Sequence, residues 1–329
     1  MNRVIITGGG GFVGRAILRL LCQQGFDCAV IGRGKYSDLE QQGVKCFRGD
    51  IGDRDFVIQH LAGYDTVFHV AAKAGIWGNI QEFWKANVEG TKNVIDGCLV
   101  NSIPVLVYTS TPSVVFAGND IINGNETLPY PEKYLCNYAK TKAEAEKLVL
   151  AVDQSSLKTC AIRPHLVWGP GDPHFIPRLL ERGRKNDLKI VGDGHNKVDI
   201  TYIDNVAQAH MLAAKNLFST FTAAGNAYFI GQERPVKVWE WINAVFEGVG
   251  ISPVTQKISL SAARTVGFAL ESFHRVFLPA REPKMTRFLA EQLARSHYFT
   301  HQRAQQDFGY SPQITIEDGM EKLISWINK

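Results

Sequence analysis

Cysteine is sparse in this chain and never paired. Six residues, at positions 22, 28, 46, 98, 136 and 160 of 329, are scattered with no C-x-x-C or zinc-finger spacing. Cys28, Cys46 and Cys160 lie in apolar strand-like runs and read as reduced, buried side chains. Charge of either sign is never massed. The net charge is +4 and no block of like charges stands out, so the composition implies neither nucleic acid nor an anionic membrane surface as a partner. No apolar run approaches the ~18 residues that would cross a bilayer. Met1-Asn-Arg3 leads directly into an apolar strand without a signal stretch, so the cytoplasm is the expected location, and the sequon Asn125-Glu-Thr127 has no secretory context. No G-x-S-x-G elbow exists, which removes the signature of serine hydrolases. His297 and His301 have a zinc-helix spacing, but no adjacent glutamate or third ligand accompanies them, and no metal is expected. What remains is an ordinary globular composition, 45% hydrophobic, long enough for a large core and about two domains.

What is abundant is glycine in one place. Residues 3–14 read Arg-Val-Ile-Ile-Thr-Gly-Gly-Gly-Gly-Phe-Val-Gly, a short apolar strand running into glycines and then into an amphipathic helix. Gly8 supplies a tight turn, Gly11 lets the backbone approach a pyrophosphate, and Gly14 lets the helix pack closely on the strand. The phosphates would sit at the helix N-terminus beside Phe12 and Val13, where unpaired N–H groups and the dipole favour an anion. The second strand ends in Gly32-Arg33-Gly-Lys35, with no acid where NAD-preferring folds carry one. A guanidinium pairs a 2′-phosphate, so NADP(H) is expected over NAD(H), which stays the second choice; a solvated basic loop is the plainer alternative.

Apolar strands at 3–7, 28–32, 44–48, 65–70, 104–109 and 158–163 alternate with helices near 11–24, 53–62, 80–100 and 134–152. That alternation predicts an α/β fold with a doubly wound parallel sheet, whose ligands bind beyond the carboxyl ends of the strands. Residues 1–168 form the expected dinucleotide-binding Rossmann domain, with 198–230 returning to it. Residues 169–197 and 231–329 form a smaller substrate-binding region. The strand-like segment 198–203 leads through Asp204, a predicted cap, into a helix over 205–217.

The strand ends supply further candidates. Asp50, with Ile51 beside it, is placed to hold adenine or to close a turn, while Asp53 is better placed to cap the next helix. His69 ends the fourth strand and reads as a satisfied core histidine; Ala71 and Ala72 after it would let the backbone approach the cofactor. Tyr108-Thr-Ser-Thr-Pro-Ser113 is a cluster of hydroxyls at a strand end, and Arg163-Pro164-His165 closes the sixth strand. The segment 259–294 holds much apolar surface interrupted by charge, and three readings stay open: a core helix, a lid over an apolar substrate, or a helix resting on a membrane.

Tyr138 and Lys142 stand four residues apart, one turn along a helix face, where a cation favours the phenolate and makes the phenol a better acid toward a carbonyl. That spacing alone arises readily by chance. Together with Thr7-Gly-x-x-Gly-x-x-Gly14 and the hydroxyls at 109–113, in this order, it resembles the extended short-chain dehydrogenase/reductase superfamily. Ala161-Ile-Arg-Pro-His165, Gly169-Pro-Gly-Asp172 and Val198-Asp-Ile-Thr-Tyr-Ile-Asp-Asn205 resemble its branch of 3β-hydroxysteroid and sterol-4-carboxylate dehydrogenases. Ala71-Ala-Lys-Ala-Gly-Ile-Trp-Gly78, Tyr108 to Val114 and Thr286 to Leu293 are most similar to that branch's reductases of 2-alkyl-3-oxoalkanoates in bacterial long-chain olefin biosynthesis.

The resemblance implies that Tyr138 protonates the carbonyl oxygen, that Lys142 lowers the phenol's pKa and holds the nicotinamide ribose, and that Thr111 stands where the superfamily more often has serine. Ser110 and Ser113 are near misses, and Pro164 is a further candidate for binding the cofactor. It implies NADPH-dependent reduction of the 3-oxo group of a long-chain 2-alkyl-3-oxoalkanoate, with Lys73, Ser113, His165 and Arg163 as candidates for binding substrate. A steroid or sterol dehydrogenase is the alternative within catalysis, and an NADP-sensing regulatory protein the alternative of another class. The expected partners are a small-molecule long-chain β-keto acid or sterol, a second copy in a homodimer, and other enzymes of the pathway.

Overall fold

Val4 and Ile6 face one side of the first strand and Ile5 the other, and all three are fully buried. A strand apolar on both faces needs a layer of helices on each side, which is the requirement of a parallel sheet. The computed structural model describes residues 1–152 and 156–329. It contains a parallel sheet of β1 (Arg3–Thr7), β2 (Asp27–Gly32), β3 (Lys45–Arg48), β4 (Thr66–His69), β5 (Val105–Thr109), β6 (Lys158–Pro164) and β7 (Asn226–Ile230), in the order β7-β6-β5-β4-β1-β2-β3. The chain is therefore a doubly wound α/β Rossmann fold. The sequence pattern gave six strands; the seventh, β7, pairs with β6 from Asn226 opposite Cys160 to Ile230 opposite Pro164.

From β1 the chain winds outward through β2 and β3, then crosses back to lay β4 on the other side of β1. The loops after β1 and β4 diverge at that reversal and open a crevice between them. On one face lies α1 (Phe12–Gln23). On the other lie α2 (Arg54–Leu61), whose N-terminus Asp53 caps by accepting from Phe56 N, and the long helix α3 over residues 80–100. That long helix is not regular, because Lys85–Glu89 forms a π-helical turn at its middle. Beside it on the same face, packed on β6, stands α4 (Asn137–Ala151).

Two expectations are corrected. The segment 198–203 is not one strand but two short ones, Lys197–Val198 and Thr201–Tyr202, in different small sheets. The buried Asp199 between them accepts from Phe299 N, which pulls the backbone toward the strand His297–Phe299. Asp204 does not cap the next helix, α5 (Ile203–Asn216), but sits inside its first turn and pairs with Arg19. That ion pair ties α5 to α1 on the same face of the sheet. Residues 259–294 resolve into α6 (Leu260–Phe277) and α7 (Arg287–Ala294).

Candidate active site

The glycines at the end of β1 are held by contact, not only by flexibility. Gly8 has φ +71°, and a Cβ there would lie 2.8 Å from the backbone of Ala71 across the crevice. At Gly14 a Cβ would lie 2.3 Å from the Gly8 carbonyl oxygen, so only glycine lets α1 seat on the turn. Gly11, the N-cap of α1, would meet only the Gly8 oxygen at 3.3 Å, leaving its outer side open beside Phe12 and Val13. No acid occupies the first turn of α1. An open helix N-terminus without a competing carboxylate fits a pyrophosphate.

A buried chain of hydrogen bonds sets the opposite wall. Thr91 Oγ1 donates to Asn87 O at 2.6 Å, so it accepts from His69 Nε2 at 2.8 Å. His69 Nδ1 in turn accepts from Thr7 Oγ1 at 2.7 Å, and Thr7 accepts from the backbone N–H of Ala71 at 3.3 Å. Each donor has one acceptor, which fixes His69 as a neutral tautomer, and burial pushes its pKa down to about 3. His69 is thus a core histidine that positions Ala71. Asn87, in the π-helical turn, accepts from Lys73 N at 2.7 Å and donates to Lys73 O and to Thr141 on α4. The sequence reading missed Asn87, because a polar residue inside a helix carries no signal until the π turn aims it.

Arg33 and Lys35 are exposed beyond β2, and neither makes an ion pair among the described residues. Arg48, which the sequence reading also passed over, ends β3 opposite Gly32 and donates to the Arg33 carbonyl at 3.3 Å. Its signal was available in strand register alone. Three cations without an ion pair among the described residues thus gather at the end of the crevice farther from β5. Asp50 Oδ1 accepts from Gly52 N at 2.8 Å and closes a turn, with Ile51 buried behind it.

At the other end, Tyr138, Lys142 and Glu146 follow at one-turn intervals along α4. Lys142 is 2% exposed; its ammonium donates to Thr109 O at 2.6 Å and lies 4.0 Å from the Tyr108 ring centroid. Burial pulls its pKa down to about 7, opposed by the charge of Glu146. Tyr138 is half-buried; the Thr111 side chain lies near enough to pull the phenol's pKa down, while burial, the larger effect, pushes it up to about 12. The expectation that Lys142 lowers this pKa is not met in the chain by itself, since the ammonium is turned to the Thr109 carbonyl. Thr111 caps a short 3₁₀ turn and bonds Ser113 at 3.3 Å, whereas the Ser110 hydroxyl is buried without a partner among the described residues. Of the three candidate hydroxyls, Thr111 is the one that perturbs the tyrosine.

The substrate candidates fare unequally. Arg163 is buried in a bidentate pair with Glu146 (2.6 and 2.9 Å), a carboxylate that also accepts from Tyr130, and is not available to a ligand. His165, buried behind Pro164, meets His297 Nδ1 through Nε2 at 2.6 Å, and His297 Nε2 reaches the Gln292 carbonyl at 2.9 Å. A carbonyl only accepts, so the protons are assigned along the chain and His165 Nδ1 is left as a bare acceptor. Burial keeps His165 neutral, which does not suit pairing with a carboxylate. His301, bonded instead to Asp199, is not on a common helix with His297. Lys73 is half-buried with its ammonium 2.8 Å from Glu82.

Residues 5–261 match the 3-beta hydroxysteroid dehydrogenase/isomerase family. A 2-alkyl-3-oxoalkanoate reductase of Shewanella oneidensis is 46% identical over 98% of this chain and 86% of its own length. One of Stenotrophomonas maltophilia is 44% identical over 98% of both. Among solved structures, the crystal structure of gox2253 superposes with a TM-score of 0.81 at 25% identity, covering 100% of this chain and 98% of that one.

Proposed function

Because the chain belongs to the 3-beta hydroxysteroid dehydrogenase/isomerase family, and so to the oxidoreductases of the extended short-chain dehydrogenase/reductase type that act on CH–OH groups, we propose that it reduces the 3-oxo group of a long-chain 2-alkyl-3-oxoalkanoate to the 3-hydroxy acid with NADPH. The observation that carries this reading is that Thr111, just beyond the carboxyl end of β5, stands near enough to Tyr138 to lower its pKa, with the buried Lys142 one turn along the same helix and bonded to Thr109 O. The substrate class rests on the two relatives of that name. When bound, the nicotinamide cofactor would supply a hydride for the carbonyl carbon. Tyr138, held protonated at neutral pH by burial, gives its proton to the carbonyl oxygen, and Thr111 donates a hydrogen bond to the same oxygen. Lys142, released from the Thr109 carbonyl, would hold the nicotinamide ribose and bring its positive charge toward the phenol as the phenol loses its proton. Gly8, Gly11 and Gly14 would take the pyrophosphate, Ala71, Ala72 and Pro164 would border the cofactor, and Asp50 and Ile51 would hold its adenine.

NADPH oxidation with a long-chain 2-alkyl-3-oxoalkanoate, set beside a 3β-hydroxysteroid with NAD and NADP, tests the reading. Turnover of the steroid alone would overturn it. Lys73 is the one candidate cation that can leave a solvent-facing partner, Glu82, for the substrate carboxylate. Lys73→Met is therefore expected to raise KM for the keto acid, and an unchanged KM removes Lys73 from this role.

The cofactor preference has its own measurement. Arg33 and Arg48 would pair the 2′-phosphate, and a charge-assisted hydrogen bond is worth about 1.5–3 kcal/mol. Arg33→Ser is expected to reduce the ratio of kcat/KM with NADPH to that with NADH by about tenfold or more, with Arg48→Ser deepening the loss. A ratio that does not move places the phosphate elsewhere.

Lys142 also sets a pH dependence. Its pKa near 7 makes it charged below that value and neutral above, so the charge under the phenol is lost as pH rises. The expected result is a kcat/KM for reduction that declines above about pH 7. A profile flat from pH 6 to 9 would mean that the free enzyme does not use this charge.

A further inference from the structure

Of fourteen large apolar side chains that are exposed among the described residues, six lie between positions 266 and 278, all on α6 or at its end. Ala262, Val266, Ala269, Phe273 and Phe277 recur at helical spacing along one face, and Val276 and Phe277 are 70% and 67% exposed. The helix cannot roll to hide this stripe. Its inner face is Ala263, Gly267 and Glu271, and a Cβ at Gly267 would lie 2.8 Å from Arg287 N, so the helix is seated directly on the start of α7. Glu271 fixes the same contact by accepting from Arg287 N at 2.6 Å.

Charge selects what the stripe meets. Residues 259–287 carry five basic side chains, Arg264, Arg275, Arg281, Lys284 and Arg287, and two acidic ones. Both acids are spent: Glu271 is buried against Arg287, and Glu282 pairs with Arg178. Arg275 and Arg281 have no ion pair among the described residues and are exposed at the end where the aromatic side chains gather. An apolar stripe flanked by free arginines is complementary to a bilayer with anionic headgroups. A second copy of the chain fits less well, because a twofold contact would set Arg275 and Arg281 against themselves. No helix among the described residues is long and apolar enough to cross a membrane.

We propose that the outer face of α6 rests on an anionic lipid bilayer and holds the mouth of the active site against it. The mouth adjoins the helix through Trp77, whose Nε1 donates to Pro279 O at 3.0 Å just beyond the C-terminus of α6. Trp77 belongs to the loop that begins at Ala71, and Asn137, the neighbour of Tyr138, donates to Gly78 O at 3.0 Å. An amphiphile lying in the outer lipid layer is thereby brought beside Tyr138 without crossing water. The docking face stands on its own exposure and charge and does not depend on the substrate reading.

The full chain is mixed with vesicles of phosphatidylcholine alone or of equal parts phosphatidylcholine and phosphatidylglycerol, and sedimented with them. Binding to the anionic vesicles is expected, weakened by added salt. The surface double variant Phe273→Ser/Phe277→Ser and the charge variant Arg275→Glu/Arg281→Glu are each expected to lose about tenfold or more of that binding. Both are expected to keep wild-type kcat and KM on a short, water-soluble ketone. Absence of wild-type binding, or binding that neither variant weakens, overturns the proposal. So does a change of oligomeric state in either variant without lipid, which would assign the face to a second copy. A raised KM for the soluble ketone would make it a lid and overturn the proposal as well.

Discussion

Tyr138→Phe is expected to lower kcat for carbonyl reduction by about 10²- to 10⁴-fold, the span that a positioned general acid contributes. The variant removes one oxygen from a half-buried ring and leaves α4 unaltered, so NADPH affinity and thermal stability are expected to stay close to wild type. Titration with NADPH followed by single-turnover reduction separates the two quantities. If the variant turns over at the wild-type rate, the proton comes from another group and the assignment of the site fails. Thr111 gives an internal comparison. Thr111→Ser keeps one O–H donor and is expected to retain activity, whereas Thr111→Val is expected to lose about 10²- to 10³-fold, as removal of one donor to a developing oxyanion does.

The second large effect is on stability. Glu146→Gln removes the buried carboxylate that Arg163 pairs with through two nitrogens and leaves the guanidinium charged in the interior. Breaking a buried pair from one side costs about 3–5 kcal/mol, whereas replacing both members by apolar groups of similar shape is close to neutral. Denaturant unfolding is expected to register that loss for Glu146→Gln and to recover most of it in Glu146→Gln/Arg163→Met. Equal instability of the single and double variants would mean that shape, not the stranded charge, sets the cost. The same change reaches the active site. Glu146 holds the Lys142 pKa up against burial, so its removal is expected to shift the decline in kcat/KM to lower pH. Measurement of the profile in the double variant, which restores folding but not the charge, isolates that contribution.

Much of the cofactor crevice was legible because its requirements are local. Gly8 and Gly14 are dictated by a turn and a close packing that any strand-turn-helix of this kind needs, and Tyr138 and Lys142 by one turn of a helix. Side chains whose meaning depends on a distant partner read wrongly or not at all. Arg163 looked like a cation at a strand end until Glu146, seventeen residues earlier, proved to occupy it. His165 looked able to meet a carboxylate until His297, 132 residues later, fixed its proton. Asn87 had no pattern to announce it, because a π-helical turn is what directs its amide to Lys73.

By itself the sequence determined the alternation of strands and helices, the glycine turn and the order of Thr111, Tyr138 and Lys142. Periodicity and backbone sterics act within a few residues, and so survive in a linear reading. Only the tertiary structure decided which hydroxyl stands near the tyrosine, where the ammonium points, and that Arg275 and Arg281 are left without an ion pair among the described residues beside an exposed apolar helix face. Burial, proton assignment and surface charge are properties of neighbours in space, and the fold chooses those neighbours.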